Sequence, residues 1–201
     1  TASAGMIGKT LESTFDSSMI YDEAKRRDVA FEYKADHGCT IEFWLKKDFP
    51  SSTPVRHRIV DMTNSETGTT FQLDYLRNGA DNLIQLHVQS GSTTTSRTEL
   101  MTNAVDGTWH HYAFSIFNEN SQTKVDVFKD GQFISNKGVF LGGTPKEILD
   151  ITAVSNGMQM TIGGTVGSNV SRLSGSMDEF RFWKAQRTPE QIYNSWFTHI
   201  G

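Results

Sequence analysis

Residues 39–46 run Cys39-Thr40-Ile41-Glu42-Phe43-Trp44-Leu45-Lys46, and their alternation decides the fold class. Successive side chains on a strand point to opposite faces. Cys39, Ile41, Phe43 and Leu45 therefore share an apolar face, and Thr40, Glu42, Trp44 and Lys46 share the other. The same period recurs in Phe71-Gln72-Leu73-Asp74-Tyr75. It recurs again from Leu83 to Gln89, with Ile84, Leu86 and Val88 inward and Gln85, His87 and Gln89 outward. His110 to Ile116 adds a strand that turns Tyr112, Phe114 and Ile116 to the core. One dry face and one wet face is the antiparallel pattern. Composition agrees: 41 Ser+Thr stand against 10 Ala, with 13 Phe. β-branched and aromatic side chains suit a pleated, half-buried surface.

Turn signals fall between these segments. Asn78-Gly79 and Asp130-Gly131 are pairs that tolerate positive φ in tight hairpins. Asp106-Gly107 precedes Trp109, Gly163-Gly164 ends the segment 158–162, and Ser90 to Ser96 reads as a Ser/Thr/Gly loop. Residues 135–157 lack alternation and read as a long surface connection. One helix is signalled, late in the chain. Thr188-Pro189-Glu190-Gln191 supplies an N-cap, a proline at the first helical position and a capping-box Gln. Ile192 and Trp196 then recur at helical spacing. Residues 1–27 read as an arm or a closing strand, and 28–201 as a single domain without linkers or repeats.

The 201 residues fit one domain. A net charge of −4 without a dense basic stripe argues against a nucleic-acid partner. No run approaches the ~18 apolar residues of a spanning helix, so no membrane partner is expected. Cys39 is the one cysteine, which excludes an internal disulfide and a cysteine-cluster zinc site.

Three segments in order resemble the laminin-G-like branch of the concanavalin A-like lectin/glucanase superfamily. They are the strand 39–46, the run Gly107-Thr108-Trp109-His110-His111-Tyr112-Ala113 with Val127-Phe128-Lys129-Asp130-Gly131, and the ending Ile162-Gly163-Gly164, Leu173-Ser174-Gly175-Ser176-Met177-Asp178-Glu179-Phe180-Arg181-Phe182-Trp183 with the capped helix. The likeness spans roughly residues 28–197. It implies an all-β jelly-roll sandwich of two antiparallel sheets with one short C-terminal helix. Lys129 stands where the family usually has an aliphatic residue, which suggests a more exposed hairpin end. Similar domains occur in secreted proteins and tailed-phage virion proteins. That setting implies an extracellular or virion-associated chain, with protein partners in a larger assembly.

The superfamily also holds hydrolases. Their branch shows a Glu-x-Asp-x-x-Glu strand that puts both catalytic carboxylates on one face. This pattern is missing here. Asp178 and Glu179 are adjacent and would point to opposite faces of a regular strand. No Gly-x-Ser-x-Gly elbow occurs either, so a non-enzyme is expected. His110 and His111 are likewise adjacent, and their rings would diverge. The family often holds one calcium, and the resemblance makes Asp178 its carboxylate ligand, with Asp16, Asp22 and Glu23 as possible partners. The alternative is that Asp178 accepts backbone N–H groups.

A carbohydrate site needs an aromatic platform beside groups that pair with hydroxyls. The wet faces offer Trp44, Glu42, Asp74, Gln85 and His87, with Gln72 and Gln89. The alternative for Trp44 is that the arm or the terminal helix covers it. The expected function is a non-catalytic, lectin-like domain that binds a glycan or polysaccharide. The competing reading is a structural or adhesion domain that binds none.

Overall fold

The computed structural model describes residues 2–4, 9–13, 19–22, 36–48, 55–64, 68–79, 81–90, 94–141, 144–145, 159–165 and 171–198. The strands in chain order are β1 (Ala2–Ala4), β2 (Lys9–Ser13), β3 (Met19–Asp22), β4 (Cys39–Lys46), β5 (Val55–Asn64), β6 (Thr69–Asn78), β7 (Asp81–Ser90) and β8 (Thr94–Thr102). There follow β9 (Trp109–Glu119), β10 (Gln122–Lys129), β11 (Gln132–Gly138), β12 (Phe140–Leu141), β13 (Thr144–Pro145), β14 (Gln159–Ile162) and β15 (Gly175–Trp183), then the helix α1 (Pro189–Ser195). Of the two main sheets one has seven strands in the order β1-β2-β15-β4-β9-β10-β11 and the other six, β3-β14-β5-β6-β7-β8, while β12 and β13 form a separate two-stranded pair. All the paired strands are antiparallel, and the two sheets stack as a jelly-roll sandwich.

The strands have the register that their alternation predicts. Ile41, Phe43, Leu45, Leu73, Ile84, Leu86, Tyr112, Phe114 and Ile116 are all buried between the sheets. Phe43 centres the aromatic packing, 5.8 Å from the Tyr112 ring and 6.1 Å from Phe114. Cys39 is buried at the end of this face, and burial pushes its thiol up to about 12, so it packs as a small apolar group. Two stretches behave otherwise than their composition suggests. The Ser/Thr/Gly run read as a loop ends β7 at Ser90 and opens β8 at Thr94. The first residues of the supposed connection from 135 belong to β11, an edge strand whose outward positions need no apolar alternation. Lys129 is also less exposed than expected. Its ammonium donates to the Ala104 carbonyl at 3.2 Å and lies 5.9 Å from the Tyr112 ring centre. A long stem lets the amine turn back over the sheet end.

Bulges shift the alternation at sites that matter below. In β5 the register slips between Arg58 and Val60, so Ile59 and Val60 both face the core at 0% exposure. Arg58 and Asp61, three apart, then share the outer face. In β15 a second bulge lies between Asp178 and Arg181, with Glu179 at φ 49°. One end of the interior is polar. The Lys47 ammonium donates to the Ser174 carbonyl at 2.7 Å and lies 4.8 Å from the Tyr75 ring centre, and His57 packs on that ring at 6.1 Å. Burial pulls Lys47 down to about 8, while burial and the Lys47 charge pull His57 down to about 4.

Candidate functional site

The five candidate ligand residues fall on two faces that point away from each other. Glu42 and Trp44 lie on the outer face of the seven-stranded sheet, and Asp74, Gln85 and His87 on that of the six-stranded sheet. The structure does not bring them together.

The seven-stranded sheet is capped by the chain that follows β15. Thr188 caps α1 in a full capping box, its side chain accepting from Gln191 N–H while Gln191 Oε1 accepts from Thr188 N–H. Ile192 packs with Ala113 and Phe128, all three at 0% exposure. The segment before the helix is stitched down by hydrogen bonds. The Thr40 hydroxyl donates to the Ala185 carbonyl, and the Ser115 hydroxyl donates to the Arg187 carbonyl. Arg187 stacks 4.4 Å over Trp183 and donates to Glu42 Oε1 at 2.5 Å. Arg181 anchors the far end through the carbonyls of Ser195 and Thr198.

Glu42 is therefore wholly buried in an ion cluster, with His111 Nε2 at 3.5 Å and Arg181 at 3.9 Å from its second oxygen. Burial by itself would raise its carboxyl. The contacts and charges of His111 and Arg187 outweigh that and hold it below its ordinary value. Trp44 is half-buried, with Trp196 at 5.7 Å and His111 at 5.7 Å between ring centres. The platform expected at Trp44 is thus partly covered by Trp196 at the end of the terminal helix, which takes part of its apolar area out of water. Gly131, at φ 74° in the Asp-Gly turn, makes this closure possible: a Cβ there would sit 2.3 Å from Trp196 Cδ1.

The outer face of the six-stranded sheet is polar. The register sets Asp61, Gln72, His87 and Arg97 side by side across four strands, and Asp74, Gln85 and Glu99 in the next row. Asp61 Oδ1 accepts from the Thr63 hydroxyl at 2.9 Å and from Gln72 Nε2 at 2.8 Å. Gln72 Oε1 in turn meets His87 Nδ1 at 2.8 Å. Asp74, at 0% exposure, is gripped by Arg58 at 2.5 Å and Arg56 at 2.9 Å. It positions these guanidiniums and is not itself presented. Gln85 and His87 are half-buried, and Arg97 and Glu99 are exposed. Gln85 Oε1 is buried without a partner. Burial first, then Arg97 and the other arginines against the opposing pull of Asp74, lower the His87 pKa, so the ring is neutral at pH 7.

The remaining candidates separate. Asp178 Oδ1 accepts the N–H of Glu179 at 2.8 Å, and Glu179 pairs with Arg181 at 3.1 Å. The strand is bulged here, so the opposite-face argument for this pair does not apply. Calcium needs six to eight converging oxygens. Among the described residues no three His, Cys, Asp or Glu side chains come together to hold a metal, and a guanidinium occupies Glu179. Asp16 and Glu23 lie outside the described residues, as does the side chain of Asp22. His110 and His111 diverge: His110 bridges Asp106 at 3.0 Å and Asp130 at 2.7 Å, while His111 joins the Glu42 cluster. Sequence reasoning missed Arg56, Arg58 and Asp61 because it did not read β5 as a strand. The Arg-His-Arg alternation between Val55 and Ile59 was the available signal.

Residues 21–193 match a laminin-G-type family model of the concanavalin A-like lectin/glucanases superfamily. The chain belongs to that superfamily. No curated protein matches it by sequence. Among solved structures it is similar to a full-length tailspike protein 2 of an Escherichia coli O157:H7 bacteriophage, with TM-score 0.64 and 11% identity, covering 94% of this chain and 25% of that one. It is also similar to the CBM40 of a Ruminococcus gnavus sialidase bound to α2,6 sialyllactose, with TM-score 0.56 and 18% identity, covering 91% and 96%. A heptameric pentraxin from Limulus polyphemus aligns at TM-score 0.50 and 14% identity, covering 90% and 82%. At these identities the likeness carries the fold. Within this superfamily member, no described helix is long and apolar enough to cross a membrane.

Proposed function

We propose that this concanavalin A-like chain is a non-catalytic saccharide-binding domain whose site is the outer face of the six-stranded sheet, around Gln85 and His87. The observation that carries the reading is the fixed hydrogen-bond row from Asp61 through Gln72 to His87. A sugar presents hydroxyls that both donate and accept. A site gains affinity when its partners are held in place before binding. Asp61 and Asp74, the carboxylates central to the face, are engaged by Gln72, Arg56 and Arg58, which supports a positioning role over a catalytic one. The R. gnavus neighbour, solved with sialyllactose, supports saccharide binding on this fold. The phage tailspike neighbour supports an extracellular or virion setting within a larger protein.

The test is a glycan array on the purified domain and its variants. His87→Ala and Gln85→Ala should each weaken the binding of any hit, an exposed hydrogen bond being worth ~0.5–1.5 kcal/mol. Trp44→Phe should bind as the parent does. Loss with Trp44→Phe and retention with His87→Ala would move the site to the capped face. Absence of any hit would hand the molecule to the structural or adhesion reading.

A further inference from the structure

We propose that the saccharide bound on this face carries a carboxylate, held by the Arg97 guanidinium while the neighbouring hydroxyl donates to His87 Nε2. The inference rests on the six-stranded face being the saccharide site.

The hydrogen bonds fix the polarity of the row. A carboxylate can only accept, so the Gln72 amide must turn Nε2 toward Asp61 and Oε1 toward His87. His87 Nδ1 must then be the donor. This tautomer is inferred from the network, and it leaves the Nε2 lone pair of the neutral ring as an acceptor. No other side chain of the protein engages Nε2 among the described residues. Beside it, directly across the β7–β8 pair, stands Arg97. Arg97 is exposed and pairs with no carboxylate among the described residues, unlike Arg56 and Arg58.

The negative charge of this face is mostly turned inward. Asp74 and Asp61 are 0% and 1% exposed, beneath Arg56 and Arg58. Glu99 is the exposed counter-charge, one row along, opposite Gln85. Burial is the largest cause that disfavours the His87 proton; after it, Arg97, Arg58 and Arg56 act in the same direction and Asp74 opposes them. A guanidinium matches a planar carboxylate through two parallel N–H donors. A sugar acid places such a carboxylate close to a ring hydroxyl. Arg97 and His87 offer that donor fork and that acceptor as adjacent cross-strand residues, about 5 Å apart at Cβ. A neutral sugar would leave the fork unused; a sulfate ester can also accept from it, so the sulfated arm of the experiment separates the two anions.

The experiment is an array of uronate and nonulosonate oligosaccharides, each printed as free acid and as methyl ester, with neutral and sulfated glycans alongside. Hits among free acids are expected to lose roughly tenfold or more on esterification, the loss of a charge-assisted hydrogen bond. Arg97→Gln should lose as much with an unchanged melt. Glu99→Gln should bind several-fold more tightly, and binding should weaken with salt. Esters binding as well as acids, or Arg97→Gln binding as the parent does, would overturn the carboxylate. Hits confined to neutral or sulfated glycans would also overturn it, while His87→Ala would still report on the site. No binding to any glycan would overturn both readings together.

Discussion

The two outer faces of the sandwich carry similar side chains and meet opposite fates. On the seven-stranded sheet, Thr40, Glu42 and Ser115 are at 0% exposure beneath the segment that follows β15. On the six-stranded sheet, Gln85, His87, Arg97 and Glu99 remain in reach of solvent. Both faces contain carboxylates held by arginines: Glu42 by Arg187 in one case, Asp74 by Arg56 and Arg58 in the other. The difference is what the pair does. Arg187 comes from the covering segment, so its pairing closes the face. Arg56 and Arg58 come from the sheet itself, so theirs only arranges it. A polar residue on an outward position therefore stays within reach of solvent or becomes a fastening according to where its partner originates.

The contrast between the faces predicts four measurable effects. The largest effect tests the register on which both faces rest. Phe43→Ala should cost ~3–5 kcal/mol in denaturant unfolding, through lost burial and an unfilled cavity. A near-neutral result would mean that every β4 side chain is on the wrong face.

Removing the fastening comes next. Arg187→Ala leaves Glu42 buried with only His111 and the more distant Arg181, and should cost about 3 kcal/mol by thermal or chemical melts. An equivalent arginine change on the open face, Arg97→Ala, should stay within about 0.5 kcal/mol. Equal losses would erase the distinction between the faces.

Acid sharpens the picture of the interior. The His57 pKa is lowered to about 4 from a usual 6.5, so between these values the unfolded chain holds a proton that the folded one refuses. Stability should be full above about pH 6.5 and fall toward pH 4, by up to roughly 3 kcal/mol. Glu42, whose carboxyl is held low, adds a loss of the same sign only as pH drops below its unfolded value near 4. His57→Gln should flatten the slope between pH 6.5 and 5 and leave the acid limb. A slope unchanged in that variant would assign the effect elsewhere.

The smallest effect concerns the cap. Thr188→Ala removes the side chain that accepts from Gln191 N–H, and should cost ~1 kcal/mol. Because Trp196 at the end of α1 partly covers Trp44, the same change should raise Trp fluorescence quenching by acrylamide. An unchanged quenching profile would show that the cap residue is not what holds the cover in place.

Periodicity alone determined the strands 39–46, 71–75, 83–89 and 110–116, their core faces and the capped helix. Those are local properties, since a strand's side chains alternate and a Thr-Pro-Glu-Gln start satisfies its own backbone. The outward direction of Glu42, Trp44, Asp74, Gln85 and His87 was legible for the same reason. Which outward face stays open was not, because it depends on a contact between residues about 145 apart, Arg187 with Glu42. Nor could alternation foresee that Arg58 and Asp61 share a face, since the bulge between Arg58 and Val60 inserts one residue into the count. Sequence spacing fixes where a side chain points relative to its own strand. Only the folded chain decides what, if anything, lies over it.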